Sequence, residues 1–389
     1  MAESKKKYRM KDGIIQRGKD CWAFVVRVPD PTRFGRTKQH WISGFDSRQS
    51  AKIARDRHRV SIAHGDFVAP DKVTVGDFLI KWLELHRPAI KPTTAEGYAG
   101  SIRLYLVPEL GHVPLQKLRP SHIQEFYNKL LTTPGCKGKA LSKRTVEQAG
   151  AILRIALKYA VDVEGLLSSN PALKVKLPRA TSPKVDPWSL QELKTFFDMA
   201  RSHRLFFFWW LGAFTGGRRG ELLALRWSDF NDKSVNISKS RTTAGREIVE
   251  LSTTKGGHNG RREVELDPET LDEFRAHRRR MIAERLALGI PWDESGYVFT
   301  QENGDPLGIT TPSDVFRKVS KRAGLRLIRL HDLRHLHATE LLELGTDLAT
   351  VAQRLGHRDA MVTATVYAHV TKRQAQNAST RFADAFTQA

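Results

Sequence analysis

His331-Asp332-Leu333-Arg334-His335, Leu355-Gly356-His357 and Thr365-Val366-Tyr367-Ala368-His369 are three clusters close to the end of the chain. A fourth, Thr215-Gly216-Gly217-Arg218-Arg219-Gly220-Glu221-Leu222, lies far upstream. Together they supply arginines, histidines and one tyrosine, which suits chemistry on a phosphodiester. Arginine stays charged and grips phosphate oxygens with a planar fork. Tyrosine can attack as a nucleophile and form a covalent intermediate. Histidine moves protons near neutral pH.

Composition narrows the setting. A chain of 389 residues is too long for one ordinary core, so two or three domains are expected. Lys and Arg number 64 against 42 Asp and Glu, a formal net charge of +22. The basic residues run through every region, which favours nucleic acid as the polyanionic partner; an anionic membrane surface is the alternative. No apolar run reaches the roughly 18 residues needed to approach a bilayer span. The basic start, Met1-Ala2-Glu3-Ser4-Lys5-Lys6-Lys7, has no apolar stretch after it and is not a secretory signal. Cys21 and Cys136 are too few for a disulfide framework or a cysteine zinc site, and a reducing cytoplasm fits.

Read in order, the chain is multidomain and mainly α, with small antiparallel β-sheets. Residues 1–65 form an α+β unit of three short strands (Gly13 to Arg17, Cys21 to Val28, Lys38 to Ser43) and a helix capped by Ser47. Residues 1–72 hold 17 Lys/Arg against 8 Asp/Glu, a net of +9. Residues 74–177 read as a bundle of four or five amphipathic helices, with starts at Thr74, near Thr93, at Ser121 and at Ser142. A Pro-punctuated basic linker leads to a last domain over 185–389. That domain opens with Ser189 and Glu192 in a capping box. Leu205 to Leu211 is apolar all round and reads as a buried helix. Val235 to Ser238, Glu247 to Leu251 and Glu263 to Leu266 read as one small antiparallel sheet. Helices follow over about 268–288, 312–323, 332–344 and 347–355.

Spacing says more about individual residues. Glu221 lies three residues after Arg218 and can hold its guanidinium. His331 and Arg334, three apart at a helix start, can face one phosphate. A metal site is the rival reading of His331, Asp332, His335 and His337. No HExxH glutamate accompanies them, and core-facing positions account for His335 and His337. Gly356 permits a tight turn that ends a helix before His357. Tyr367 is the only tyrosine after Tyr297.

The ordered set resembles the tyrosine recombinases, the phage-integrase family of DNA strand-exchange enzymes. It comprises Arg218 in a TGxRxxEL context, a lysine in a turn between strands, His331 and Arg334 in HxxR, Leu355-Gly356-His357, and Tyr367 ten residues after His357. The resemblance implies a three-domain integrase: an arm-type DNA-binding domain, a helical core-binding domain of SAM-like type, and a catalytic domain. It selects Arg218 over its neighbour Arg219 as the first catalytic arginine. It puts the catalytic lysine at Lys255, on a hairpin, with Lys239 as the fallback. It further implies that Tyr367 forms a 3′-phosphotyrosyl bond while Arg218 and Arg334 stabilise the transition state. Lys255 would then act as the acid, His331 as the proton acceptor and His357 as a hydrogen-bonding aid, with no cofactor, metal or ATP. Arg219, Lys91, Lys137, Lys139, Lys143 and Arg144 are candidate DNA contacts, and each reads equally well as a solvated surface charge.

The expected partners are double-stranded attachment-site DNA and a homotetramer on synapsed DNA. An excision factor and a DNA-bending host protein complete the set implied by the family; no membrane is involved. The expected place is the bacterial host cytoplasm, at the nucleoid. The tail from Ala368, with Phe382 and Phe386 at i,i+4, is expected to dock on a neighbouring subunit. A chromosomal resolvase-type recombinase is the near alternative, and the basic N-terminal unit argues for the integrase. A non-catalytic DNA-binding regulator on the same scaffold, a type IB topoisomerase and a metal-dependent phosphohydrolase are the more distant ones.

Overall fold

The computed structural model describes residues 12–29, 37–63, 68, 71–133, 140–180, 186–245, 247–251, 260–357, 361, 364 and 386–387. The chain divides into two compact units, Met1–Thr181 and Ser182–Ala389.

The first unit contains two separate cores. Strands β1 (Ile14–Gly18), β2 (Cys21–Pro29) and β3 (Thr37–Phe45) form an antiparallel sheet in the order β1-β2-β3. Helix α1 (Arg48–Ala63) covers one face, burying Ala51 against Ile14, Phe24 and Val26. The two-residue period of a strand sends Val25, Arg27, Gln39 and Trp41 to the other face, where Val25 pairs with Trp41 and Arg27 with Gln39. The Arg17 guanidinium lies 4.9 Å from the centre of the Trp41 ring.

The second core of this unit is helical: α2 (Val75–His86), α3 (Pro92–Ser101), α4 (Val107–Leu110), α5 (Pro120–Thr132) and α6 (Lys143–Asp162). Thr74 and Ser142 cap α2 and α6 by accepting the N–H of Asp77 and Thr145. A π turn over Ile102–Leu106 precedes Pro108, whose missing N–H interrupts the regular helical ladder. Val75, Leu79, Trp82, Phe126, Leu153 and Leu157 are among the side chains that fill the bundle.

In the second unit α7 (Leu190–Ala200) starts at the Ser189–Glu192 capping box. Helix α8 (Phe206–Thr215) runs through the middle of the core, and Phe206 to Ala213 are all buried. Each large apolar side chain so buried contributes roughly 1.5–3 kcal/mol. Gly216, in the left-handed conformation at φ +64°, ends α8 and turns the chain into α9 (Arg219–Leu223). Helices α10 (Pro268–Ala287), α11 (Thr311–Arg322), α12 (Asp332–Glu343) and α13 (Leu348–Leu355) follow.

The β region differs from the single sheet that its apolar alternation predicts. It is two separate antiparallel ribbons, β4 (Ser234–Ile237) with β7 (Arg262–Glu265) and β5 (Ser240–Ala244) with β6 (Glu247–Leu251). Strand β5, Ser240-Arg241-Thr242-Thr243-Ala244, carries no apolar alternation because its buried position is occupied by Arg241. That guanidinium donates to the Leu223 carbonyl at 3.3 Å and lies 4.7 Å from the Tyr297 ring centre, so a polar strand is held by polar partners.

Candidate active site

Arg218 is the N-cap of α9. Its backbone N–H donates to Glu221 Oε2 at 3.0 Å, and its Nη1 donates to Glu221 Oε1 at 2.7 Å. Glu221 is 1% exposed. Burial alone would raise its carboxyl pKa; the charges and hydrogen bonds of Arg262 and Arg218 outweigh burial and hold it below its ordinary value.

Arg334, 3% exposed, sits in the first turn of α12. It donates to the Gly216 carbonyl at 2.7 Å and to the Leu355 carbonyl at 2.7 Å. One side chain therefore fastens the turn after α8 to the end of α13. The same two turns also touch sterically: a Cβ on Gly216 would lie 2.6 Å from Leu355 Cδ2. Gly356 adopts φ +65° and ends α13, which brings His357 beside the arginines.

His331 precedes α12 and meets His335 edge to face at 5.3 Å between ring centres. Desolvation first, then the charges of His335, Arg334 and Arg218, bring the His331 pKa down to about 4, although the residue as a whole is exposed to solvent. His357 is also brought down to about 4, by desolvation and then Arg334, Arg218 and Arg262. Both rings are thus neutral near pH 7. An open cleft of about 610 Å³ is lined by Arg218, Arg219, Ser313, Arg317, Arg329 and His331, among others. Arg219 reaches across it to donate to Ser313 Oγ at 3.0 Å.

The structure therefore brings Arg218, Glu221, His331, Arg334 and His357 together, with Arg219 on the same cleft. Lys255 and Tyr367 lie outside the described residues, as do Lys137, Lys139 and the tail from Ala368 apart from residues 386–387. Lys239 lies 3.4 Å from Glu250, which also accepts from Tyr297. Lys91, Lys143 and Arg144 are exposed on the helices of the first unit, and Arg144 lies 3.6 Å from Glu147. Asp332 is engaged by Arg329 at 2.7 Å, and His337 is half-buried and accepts from Arg354 at 3.2 Å. Among the described residues no three His, Cys, Asp or Glu side chains are grouped so as to hold a metal ion.

Sequence reasoning missed two arginines here. Arg262 on β7 donates to Glu221 Oε2 at 2.9 Å, to the Arg354 carbonyl at 2.7 Å and to the Gly260 carbonyl at 3.1 Å. Arg354 donates to the Phe214 carbonyl at 3.1 Å. The available signal was alternation: Arg262, Val264 and Leu266 all point inward on β7 and just beyond it, so an arginine occupies a core position.

The pattern of the phage integrase family matches residues 190–374, and that of the phage integrase N-terminal SAM-like domain matches residues 74–131. A tyrosine recombinase XerC-like protein of Caldanaerobacter subterraneus subsp. tengcongensis is 30% identical over 399 residues, covering 97% of this chain and 99% of the relative. The chain is a tyrosine recombinase of the phage integrase family. Members of this family break and rejoin DNA. The ICEBs1 integrase of Bacillus subtilis strain 168 is 31% identical to the recombinase over 267 residues, with 66% of this chain and 68% of the relative covered. In fold, the recombinase is similar to the Tn1549 transposon integrase solved with transposon right end DNA. That match has a TM-score of 0.66 at 20% identity and covers 80% of this chain and 100% of the other. It is also similar to lambda integrase solved as a tetramer on a Holliday junction, with a TM-score of 0.56 at 18% identity, covering 92% and 96%.

Proposed function

We propose that the recombinase integrates and excises a phage or other mobile element through a tyrosyl intermediate carried by Tyr367. The supporting observation is that Arg218 and His331 line one cleft while Arg218 and Arg334 act together on His331 and His357, holding both rings neutral. The Tyr367 hydroxyl oxygen bonds to phosphorus, and the bond from phosphorus to the 5′-oxygen breaks. The tyrosyl proton passes to His331, whose neutral ring can accept it. Lys255 gives a proton to the departing 5′-oxygen. Arg218 and Arg334 stabilise the charge on the non-bridging oxygens, preorganised by Glu221 and by the two carbonyls. His357 donates a hydrogen bond to the same phosphate. Rejoining reverses these transfers: the 5′-hydroxyl of the partner strand attacks the phosphotyrosine, the bond from phosphorus to the Tyr367 oxygen breaks, and the bond energy held in the phosphotyrosine is conserved.

The N-terminal sheet binds arm-type DNA with its open face. Arg17, Arg27, Gln39 and Trp41 there combine charge, amide and ring, the groups that contact phosphates and base edges. The working unit is a homotetramer on synapsed duplexes at the bacterial nucleoid. An excision factor and a DNA-bending host protein set the direction. The solved tetramer of lambda integrase supports the assembly.

The test is a nicked substrate carrying the element's attachment core, incubated in EDTA with wild type and with Tyr367→Phe. An SDS-resistant adduct that maps to Tyr367 and is lost in the variant is expected. Tight binding with no adduct from either protein would favour a DNA-binding regulator; an adduct unchanged in the variant would mean another nucleophile.

A further inference from the structure

We propose that Arg262 is a positioning residue for strand cleavage, acting through Glu221 to orient Arg218. The inference rests on the tyrosyl reading of the cleft.

Three pieces of chain far apart in sequence converge on this guanidinium. It faces Glu221 of α9, the Arg354 carbonyl of α13 and the Gly260 carbonyl that leads into β7. The Arg262 and Glu221 side chains are 4% and 1% exposed. Solvent screening is therefore slight, and the directions of the bonds are constrained. The two oxygens of Glu221 have divided duties. Oε1 takes the Arg218 side chain; Oε2 takes both the Arg218 backbone N–H and Arg262. With Arg262 removed, the carboxylate keeps only Arg218 among these donors and is free to rotate, and the Arg218 fork rotates with it.

A second observation locates Arg262 on the reaction side of the fold. Gly356 lies directly beneath it, where an added Cβ would come within 2.8 Å of Arg262 Nη1. The turn that delivers His357 is thus shaped around this arginine. Misplacing a reacting group by about 1 Å costs on the order of 10²-fold in rate. The Arg262 side chain is 4% exposed and gives its nitrogens to Glu221 and to the Gly260 and Arg354 carbonyls, so its proposed role is positioning rather than DNA affinity.

The test measures the first-order rate of adduct formation on saturating nicked DNA, counted per bound protein, so that poorly folded protein does not enter the rate. The variants are Arg262→Met, Arg262→Lys, Glu221→Gln and the double Arg262→Met/Glu221→Gln. Breaking one partner of a buried pair is strongly destabilising, whereas neutralising both is tolerated. The double variant therefore remains measurable if Arg262→Met fails to fold. The expected result is a cleavage rate lowered on the order of 10²-fold in Glu221→Gln, with no further loss in the double variant. Arg262→Lys recovers part of the wild-type rate, and DNA affinity changes little throughout. Replacing the bridging 5′-oxygen by sulfur, a leaving group that needs no acid, does not restore the rate. A double variant slower than Glu221→Gln by a further large factor would overturn the proposal. So would rescue by sulfur, which would tie Arg262 to the proton donor instead. Wild type that forms no Tyr367-dependent adduct would sink the tyrosyl reading itself, a separate outcome.

Discussion

The guanidinium of Arg334 lies 2.7 Å from the carbonyl oxygen of Gly216, which stands 118 residues earlier in the chain. The Leu355 carbonyl takes its other terminal nitrogen at 2.7 Å. Both acceptors belong to turns that end helices, where carbonyls lack their usual intrahelical donors. The arginine therefore completes two helix ends, and its charge acts on His331 and His357. Lysine in its place keeps the charge but lacks the planar fork that reaches two carbonyls at once. Arg334→Lys is expected to lower the unfolding free energy by about 1.5–3 kcal/mol, the scale of one charged hydrogen bond. Urea titration measures this, and adduct formation should fall alongside. Unchanged stability would mean the carbonyl contacts are not made.

The cleavage rate should hold up in acid further than an ordinary histidine base allows. His331 stays neutral down to a pKa of about 4. The rate of adduct formation on saturating DNA is expected to stay level from pH 7.5 to about 5.5 and to fall only below that. A half-loss near pH 6.5, the unperturbed value, would contradict the environment described for this ring.

Stability should depend on pH with the opposite emphasis. His277 is 2% exposed, its ring stacked on Phe207 at 5.2 Å, and burial brings its pKa down to about 3. A folded value below the unfolded one means the unfolded chain takes up a proton that the native protein refuses. The contribution is present above pH 6.5 and is lost as pH falls toward 3. The slope approaches about 1.4 kcal/mol per pH unit for such a group. Urea unfolding at pH 6.5 and 4.5 checks this, and His277→Phe should flatten the difference.

Gly356 answers two demands at once, φ of +65° and the close approach of Arg262. Left-handed backbone costs an L-residue roughly 1–2 kcal/mol, and the clash adds to it. Gly356→Ala is expected to lose at least that much stability and to slow adduct formation. A Gly356→Ala protein of wild-type stability would remove the steric part of the account.

Arg219 lines the cleft and is tied to Ser313 rather than to Glu221. Arg219→Ala should weaken DNA binding and reduce the slope of log K against log salt by about 0.9, the signature of one lost phosphate contact. The cleavage rate of the bound complex should change little. A large fall in that rate with an unchanged slope would place Arg219 in the chemistry instead.

Much of the fold and of the site is legible in the amino-acid sequence. The helix starts at Thr74, Ser142 and Ser189 are readable because capping is local: a side-chain oxygen meets an N–H three residues away. The buried run at Phe206 is readable because a helix apolar on every side has nowhere else to go. The Arg218–Glu221 pair is readable from its spacing. Strand β5 is not, since its inward residue is Arg241 and no apolar period marks it.

The sequence by itself determined the mainly helical architecture, the family and the chemical set of arginines, histidines and tyrosine. These follow from local periodicity and from motifs whose members lie a few residues apart. Only the tertiary structure decided that Arg334 closes Gly216 and Leu355 together, that Arg262 shares Glu221 with Arg218, and that His331 and His357 are neutral. Each of those facts is a contact or a desolvation created by bringing distant segments within 3 Å or so, the range at which hydrogen bonds form. No spacing along the chain encodes that distance.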